Sequence, residues 1–312
     1  MTDNINAQTV GRFAPSPTGA LHTGSLVAAV GSWLMARSRG GRWLLRIDDL
    51  DTQRRSPGMA DDIMRTLEKF GLYWDGEVSF QSRHTGAYEQ AFAELAERGL
   101  VYPCGCSRKD IARSASAPHA EDDCLRYRGA CREGMRDGAV IRSWRIRVPE
   151  EDFCFDDLRL GRVSQRLSGR CGDFVVRRGD GEFAYQLAVV LDDHLTGVNQ
   201  VVRGDDLLPS TPRQIYLQQL LGMPRPEYCH LPLVTGAGGA KLSKRDNLVS
   251  HQLGFARGKE GPLLLGVLRF LGQDAPPALA GTSCDEILLW AVRHFDAGRI
   301  PAVGGEMFAG RL

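Results

Sequence analysis

Short apolar runs alternate with segments of helical periodicity along the first part of the chain. Val10–Ala14 and Trp43–Ile47 read as strands, and Ser25–Arg37 and Pro57–Phe70 read as helices. Strand, helix, strand, helix predicts a parallel sheet wound by helices. Further along, Ala188–Leu191 and Gln200–Val202 are strand-like. Thr211-Pro212 opens a helix that runs to about Leu221 and closes on Gly222, with Thr as N-cap and Pro at the first helical position. The apolar run His230–Val234 leads into a glycine-rich loop, and helical stretches near Pro262–Leu271 and Cys284–Phe295 follow. Between the two halves, Ser114–Ala120 is small and loop-like, without apolar periodicity. The sheet is therefore expected to be split by an insert that cannot build a core of its own without a staple.

Composition narrows the class. The 312 residues are 43% hydrophobic and 25% charged, as in an ordinary globular protein of one large or two modest domains. Thirty-nine Lys+Arg against 38 Asp+Glu give a net charge of +1, which excludes a strongly basic nucleic-acid coat but not a local basic face. The 36 glycines suit many tight turns and close backbone approach to something bound. The stretch MTDNINAQTV lacks a targeting pattern and no apolar run is long enough for a membrane span, so a cytoplasmic protein with neither membrane nor DNA as partner is expected.

Eight cysteines in such a chain point to metal rather than to a disulfide framework. Cys104, Cys106, Cys124 and Cys131 cluster in the insert, and four thiolates would satisfy one tetrahedral zinc. Residues 101 to 148 hold ten Lys+Arg and six Asp+Glu, an excess that suits an RNA-facing surface and equally a solvated face.

Two loops carry candidate chemistry. The segment Arg12 to Ser25 lies between the first strand and the first helix, where ligands bind in open parallel sheets. Pro15 and Pro17 stiffen it, Gly19 and Gly24 allow close backbone approach, and His22 is placed to donate to phosphate oxygens at the helix N-terminus. Lys241-Leu-Ser-Lys-Arg245, preceded by Gly236, Gly238 and Gly239, sets two lysines three apart on a glycine-rich loop. Their charges suit a departing pyrophosphate. Taken singly, the first is also an ordinary turn and the second an ordinary solvated patch.

Together the loops resemble the paired signatures of the class I aminoacyl-tRNA synthetases, a HIGH-type loop at His22-Thr-Gly-Ser25 and a KMSKS-type loop at Lys241–Arg245. Arg12-Phe-Ala-Pro-Ser-Pro-Thr-Gly19 resembles the glutamate-specific branch, as do Arg46–Asp51, Phe183–Ala188, Val202–Leu208 and His230–Val234, in matching order over about residues 8 to 250. Only 67 residues follow Arg245, too few for the large anticodon-gripping domains of full glutamyl-tRNA synthetases. The resemblance is closest to the truncated, cysteine-containing branch that acts on queuosine. It implies an α/β fold: a Rossmann-like class I catalytic domain with a zinc-binding insert and a short helical C-terminal segment. The corresponding division is 1–102 for the first catalytic half, 103–180 for the insert, 181–246 for the second half with the KMSKS-type loop, and 247–312 for the helical segment.

The resemblance also implies a reaction. The protein would be a ligase that activates L-glutamate with ATP, with magnesium, independently of tRNA, and transfers glutamate to queuosine at the wobble position of tRNA(Asp). His22 and Lys244 would stabilise the triphosphate with Lys241 assisting, and Gly24 would line the ATP site. Arg12, Phe13, Ala14, Pro15, Ser16, Asp48, Tyr185 and Arg203 would form the glutamate pocket. One structural zinc per chain would be held by Cys104, Cys106, Tyr127 and Cys131, which leaves out Cys124. Two departures stand out: Asp48 replaces the family's usual Glu, retracting the carboxylate by one methylene, and Ser25 replaces the second His of the broad class pattern. The competing readings are a compact glutamyl-tRNA synthetase charging a tRNA 3′ end, a nucleotidyltransferase using another small acid, and a decayed RNA-binding paralogue.

Overall fold

The expected alternation is present from the first described strand. β1 (Val10–Phe13) leads into α1 (Thr23–Arg37), and β2 (Arg42–Ile47) leads into α2 (Met59–Lys69). β1 and β2 pair in parallel with Gly11 opposite Trp43, and the short β3 (Ser79–Phe80) pairs with the end of β2. The computed structural model describes residues 8–114, 126–235, 258–305 and 307. Lys241, Lys244, Cys124 and most of the loop-like stretch Ser114–Ala120 lie outside them.

After α3 (Thr85–Glu97) come β4 (Val101–Cys104), α4 (Arg108–Ser114) and β5 (Ser143–Ile146). β6 (Asp152–Asp157) and β7 (Gly161–Arg166) form an antiparallel hairpin, followed by α5 (Leu167–Arg170) and β8 (Val175–Arg178). β4, β5 and β8 make an antiparallel sheet. β6 instead pairs in parallel with β10 (Glu227–Leu231), which also pairs with β9 (Gln200–Gly204). The segment expected as an insert thus contributes strands to two sheets.

The two parallel sheets meet at Asn199. Its backbone N–H donates to the Val10 carbonyl at 3.0 Å and its Oδ1 accepts the Val10 N–H at 2.7 Å, so β9 lies beside β1. Across the strand faces pack α1 and α2, with Leu26, Leu34, Trp43 and Leu67 fully buried. A Cβ at Gly31 would stand 2.5 Å from Leu231 Cδ1, so α1 lies against β10 more closely than any side chain there would allow. The same core takes in Leu264 and Leu268 of α8 (Glu260–Phe270) and Ile287 and Leu288 of α9 (Cys284–His294), which explains the helical periodicity of those stretches. A small third cluster joins Tyr102, Cys104, Ile111, Tyr127 and Cys131.

Two sequence expectations need correction. Ala188–Leu191 is not a strand but the middle of α6 (Tyr185–Leu195). This helix is buried from Gln186 to Asp193, so it lacks the polar stripe that marks a helix at a surface. The helix opened by Thr211-Pro212, α7 (Thr211–Leu220), has Ser210 rather than Thr211 at its N-cap, one residue earlier than the capping signal suggests.

Candidate functional site

His22 occupies the N-cap of α1 in extended conformation, φ −105° and ψ 171°, and its Nδ1 accepts the Ser25 N–H at 3.2 Å. In the neutral ring the proton then sits on Nε2, which becomes a donor. A Cβ at Gly24 would lie 3.2 Å from the imidazole, so glycine here leaves room for the ring. The first turn of α1 carries no acidic residue to offset the positive end of the helix. Upstream, Phe13 is buried and stacks on Trp43, with ring centroids 6.3 Å apart. The Pro15 carbonyl accepts the Asp48 N–H at 3.0 Å, pinning the Ala14–Ser16 run to the end of β2.

Below this loop lies a buried charge network. Arg12, 4% exposed, forks onto Asp193, with Nε to Oδ1 at 3.1 Å and Nη2 to Oδ2 at 3.4 Å. Arg46 reaches the same Asp193 Oδ1 through Nη1 at 2.5 Å and pairs through Nε with Asp48 Oδ1 at 2.7 Å. Burial opposes ionisation of Asp193, but the two guanidinium groups outweigh it and hold the carboxyl below its ordinary value. At Asp48 burial wins over Arg46 and the carboxyl is pushed up to about 6. Asp192, fully buried, accepts from Gln81 Nε2 at 2.8 Å and Tyr88 Oη at 2.7 Å, and lies 2.7 Å from His84 Nδ1. Three carboxylates thus stand against two guanidinium groups, a balance that suits the added ammonium of an amino acid.

The raised Asp48 makes a testable prediction. If its carboxylate meets the substrate ammonium, it serves only when ionised, so the KM for glutamate is expected to rise as pH falls through about 6. Steady-state kinetics of Asp48→Asn should show a raised KM that no longer depends on pH in that window.

Arg203, 5% exposed on β9, has a different environment. Its Nε donates to His230 Nε2 at 3.3 Å, Nη1 to Tyr185 Oη at 3.4 Å and Nη2 to Thr211 Oγ1 at 2.7 Å. The guanidinium lies 5.7 Å from the Tyr228 ring centroid. Its hydrogen-bond partners are all uncharged, since burial pushes His230 down and so keeps the imidazole neutral at pH 7. Among the described residues no carboxylate pairs with Arg203, in contrast to Arg12 and Arg46. Tyr185 begins α6 and is exposed.

At the other end of β4 the sulfurs of Cys104, Cys106 and Cys131 all lie within 4.8 Å of one another, and Cys106 Sγ is 3.6 Å from Cys131 Sγ. Thiolates sharing a tetrahedral zinc at about 2.3 Å would stand roughly 3.8 Å apart, so the donor set fits that ion. Tyr127 Oη lies 3.4 Å from Cys104 Sγ, on the rim of the cluster, and accepts the Cys131 N–H at 2.7 Å. Arg145 brackets the group, with Nε donating to Cys104 Sγ at 3.4 Å and its guanidinium 4.0 Å from the Tyr127 ring centroid. Burial opposes ionisation of Cys104, but its hydrogen bonds with Tyr127, the Cys106 backbone and Arg145 together hold the thiol below its ordinary value.

The structure therefore gathers Arg12 and Asp48 into one network, sets Arg203 against Tyr185, and brings three cysteines and Tyr127 together. Sequence reasoning missed Asp192, Asp193, Asp157 and His230. The acidic doublet inside the apolar run Leu187–Leu195 was the available signal, because buried carboxylates need partners.

Comparison with known proteins adds the following. Residues 8–274 match the family described as tRNA synthetases class I (E and Q), catalytic domain. The chain is 56% identical over 301 residues to a glutamyl-Q tRNA(Asp) synthetase of Geobacter sulfurreducens, covering 96% of each chain. It is 50% identical over 298 residues to the same-named protein of Dechloromonas aromatica, covering 95% of this chain and 97% of that one. The fold is similar to a crystal structure of a glutamate tRNA ligase from Elizabethkingia meningosepticum in complex with its amino acid, with TM-score 0.78 and 25% identity. That match covers 97% of this chain and 68% of the other. Glutamate-tRNA synthetase from Elizabethkingia anophelis gives 0.79 and 26% over the same shares.

Proposed function

The chain belongs to the class I tRNA synthetases of the E and Q type, and from that premise we propose that it activates L-glutamate with ATP and transfers the glutamyl group to queuosine at the wobble position of tRNA(Asp). The observation that carries the glutamate pocket is Arg203, a buried guanidinium whose hydrogen-bond partners among the described residues are all uncharged. A buried cation without a counter-ion is costly, and an anionic substrate supplies the missing charge. In this reading one carboxylate of glutamate meets Arg203 and Tyr185, the ammonium meets Asp48, and the Arg12–Ser16 run lines the pocket.

Activation forms a bond between the glutamate α-carboxylate and the α-phosphorus of ATP and breaks the bond to the departing pyrophosphate. The substrate carboxylate is itself the nucleophile, so the protein's part is positioning and charge stabilisation. His22 donates from Nε2 to the phosphates at the N-terminus of α1, in the tautomer that Ser25 fixes. Gly24 lets the nucleotide approach the backbone, and Lys241 and Lys244 stabilise the charge that develops on the leaving group, with magnesium accompanying the ATP. Glutamate-dependent exchange of labelled pyrophosphate into ATP, measured without RNA, is the test, and exchange is expected. Exchange that appears only with tRNA would instead support an ordinary glutamyl-tRNA synthetase, and transfer to tRNA(Asp) lacking queuosine would overturn the acceptor.

Cys104, Cys106 and Cys131, with Tyr127 as fourth ligand, would hold one zinc, whose part is to staple the insert rather than to do chemistry. Metal analysis of the purified protein is expected to give about one zinc per chain. Tyr127→Phe should lose it to a chelator faster than the wild type does, and equal loss rates would remove Tyr127 from the ligand set.

A further inference from the structure

Behind Arg203 lies a second layer that the activation chemistry leaves unused. His230 on β10 is fully buried, and its Nδ1 stands 2.6 Å from Asp157 Oδ2. The same oxygen accepts the His230 backbone N–H at 3.0 Å, while Asp157 Oδ1 accepts the backbone N–H groups of Arg159 and Leu160, each at 3.0 Å. Burial opposes ionisation of Asp157, but these donors outweigh it and keep the carboxyl below its ordinary value. An ionised carboxylate can only accept, so the imidazole proton sits on Nδ1 and Nε2 presents a lone pair. That lone pair faces Arg203 Nε at 3.3 Å and Thr211 Oγ1 at 2.9 Å. Thr211 in turn accepts from Arg203 Nη2 at 2.7 Å and so donates its own proton to His230 Nε2. Arg203 Nε and Thr211 Oγ1 thus share the one lone pair of His230 Nε2. With Nε taken by His230, and with Tyr185 and Thr211 each taking one donor from a terminal nitrogen, one donor remains on Nη1 and one on Nη2 for a carboxylate.

We propose that His230 is a positioning residue for glutamate: a neutral imidazole, oriented by Asp157 and braced by Thr211, that holds the Arg203 guanidinium at the angle at which its two remaining donors meet the substrate carboxylate. The inference rests on the reading of Arg203 as the carboxylate's partner. It accounts for a fully buried histidine beside Arg203, and for the tautomer that the neighbouring carboxylate enforces. The other tautomer, or the imidazolium, would turn an N–H toward the N–H groups of Arg203 and swing the fork away.

The test compares His230→Phe, which keeps the ring and removes the acceptor, with His230→Gln, whose amide oxygen can take the place of Nε2. In pyrophosphate exchange, His230→Phe is expected to raise the KM for glutamate about 10- to 100-fold, as loss of a hydrogen bond to a charged group would. The KM for ATP and kcat should stay within about 3-fold. His230→Gln should restore most of the glutamate KM. An unchanged glutamate KM in His230→Phe overturns the proposal, as does a loss shared by both variants that moves kcat and the ATP KM together. Where His230→Phe does not fold, the isosteric Thr211→Val carries the same expectation, and a wild-type glutamate KM there overturns it. Arg203→Ala separates the two readings. If that change has no effect, the pocket assignment fails; if it is severe while His230→Phe is silent, only the positioning role fails.

Discussion

Arg203→Ala is expected to lower kcat/KM for glutamate in pyrophosphate exchange by about 10²- to 10³-fold, the scale of losing one partner of a buried, charge-assisted pair. The guanidinium is 5% exposed and its hydrogen-bond partners among the described residues are all uncharged, so in the proposed pocket its remaining donors are left for the substrate carboxylate. Arg203→Lys should recover little. A single ammonium cannot bond His230 and Thr211 and also offer two parallel donors to a carboxylate. A rate within about 3-fold of wild type in Arg203→Ala would move the substrate carboxylate elsewhere, with Arg12 and Arg46 as the other buried guanidinium groups beside the loop.

The largest expected loss of stability lies one layer below. Asp193→Ala should destabilise the fold by about 3–5 kcal/mol, because it leaves the Arg12 fork unpaired and takes one of three carboxylates from Arg46. Against a total of roughly 5–15 kcal/mol this is a substantial share, readable as a shift in the urea midpoint. Asp193→Asn, which keeps acceptor oxygen in place, should cost less. The pH dependence has a definite sign. The folded carboxyl lies below its unfolded value, so its contribution is complete above about pH 4 and is lost as pH falls further. Equal urea midpoints for wild type and Asp193→Ala would show that the two arginines find other partners.

The strands and helices flanking the first loop were legible because short apolar runs alternate with longer helical stretches. Val10–Phe13 and Arg42–Ile47 are short apolar runs, while Met59–Lys69 buries Ile63 and Leu67 and leaves charges outside. That contrast fails at α6. Its whole middle is buried, so the apolar stretch Ala188–Leu191 reads the same for a helix as for an interior strand. The error hid Asp192 and Asp193, which the helix turns toward Arg46 and Arg12 and which an extended chain would have sent to opposite faces. The cysteines were legible because soft ligands at short spacing have few other uses, whereas the partnership of Asp157 with His230 spans two strands that meet only in the folded sheet. Tyr127 could be named from family resemblance alone, since nothing in its own neighbourhood of sequence distinguishes a ligand from a core aromatic.

The stitching of β1 to β9 through Asn199 joins residues 189 positions apart. During synthesis at roughly 5–20 residues per second, the first strand leaves the ribosome about 10 to 40 seconds before its neighbour exists. For that interval β1 and β2 stand with one bare edge, the arrangement that invites pairing with another nascent chain. Expression at lowered temperature, or with chaperones that shield exposed edges, should therefore raise the yield of dissolved product far more than it raises the melting temperature of what has already folded.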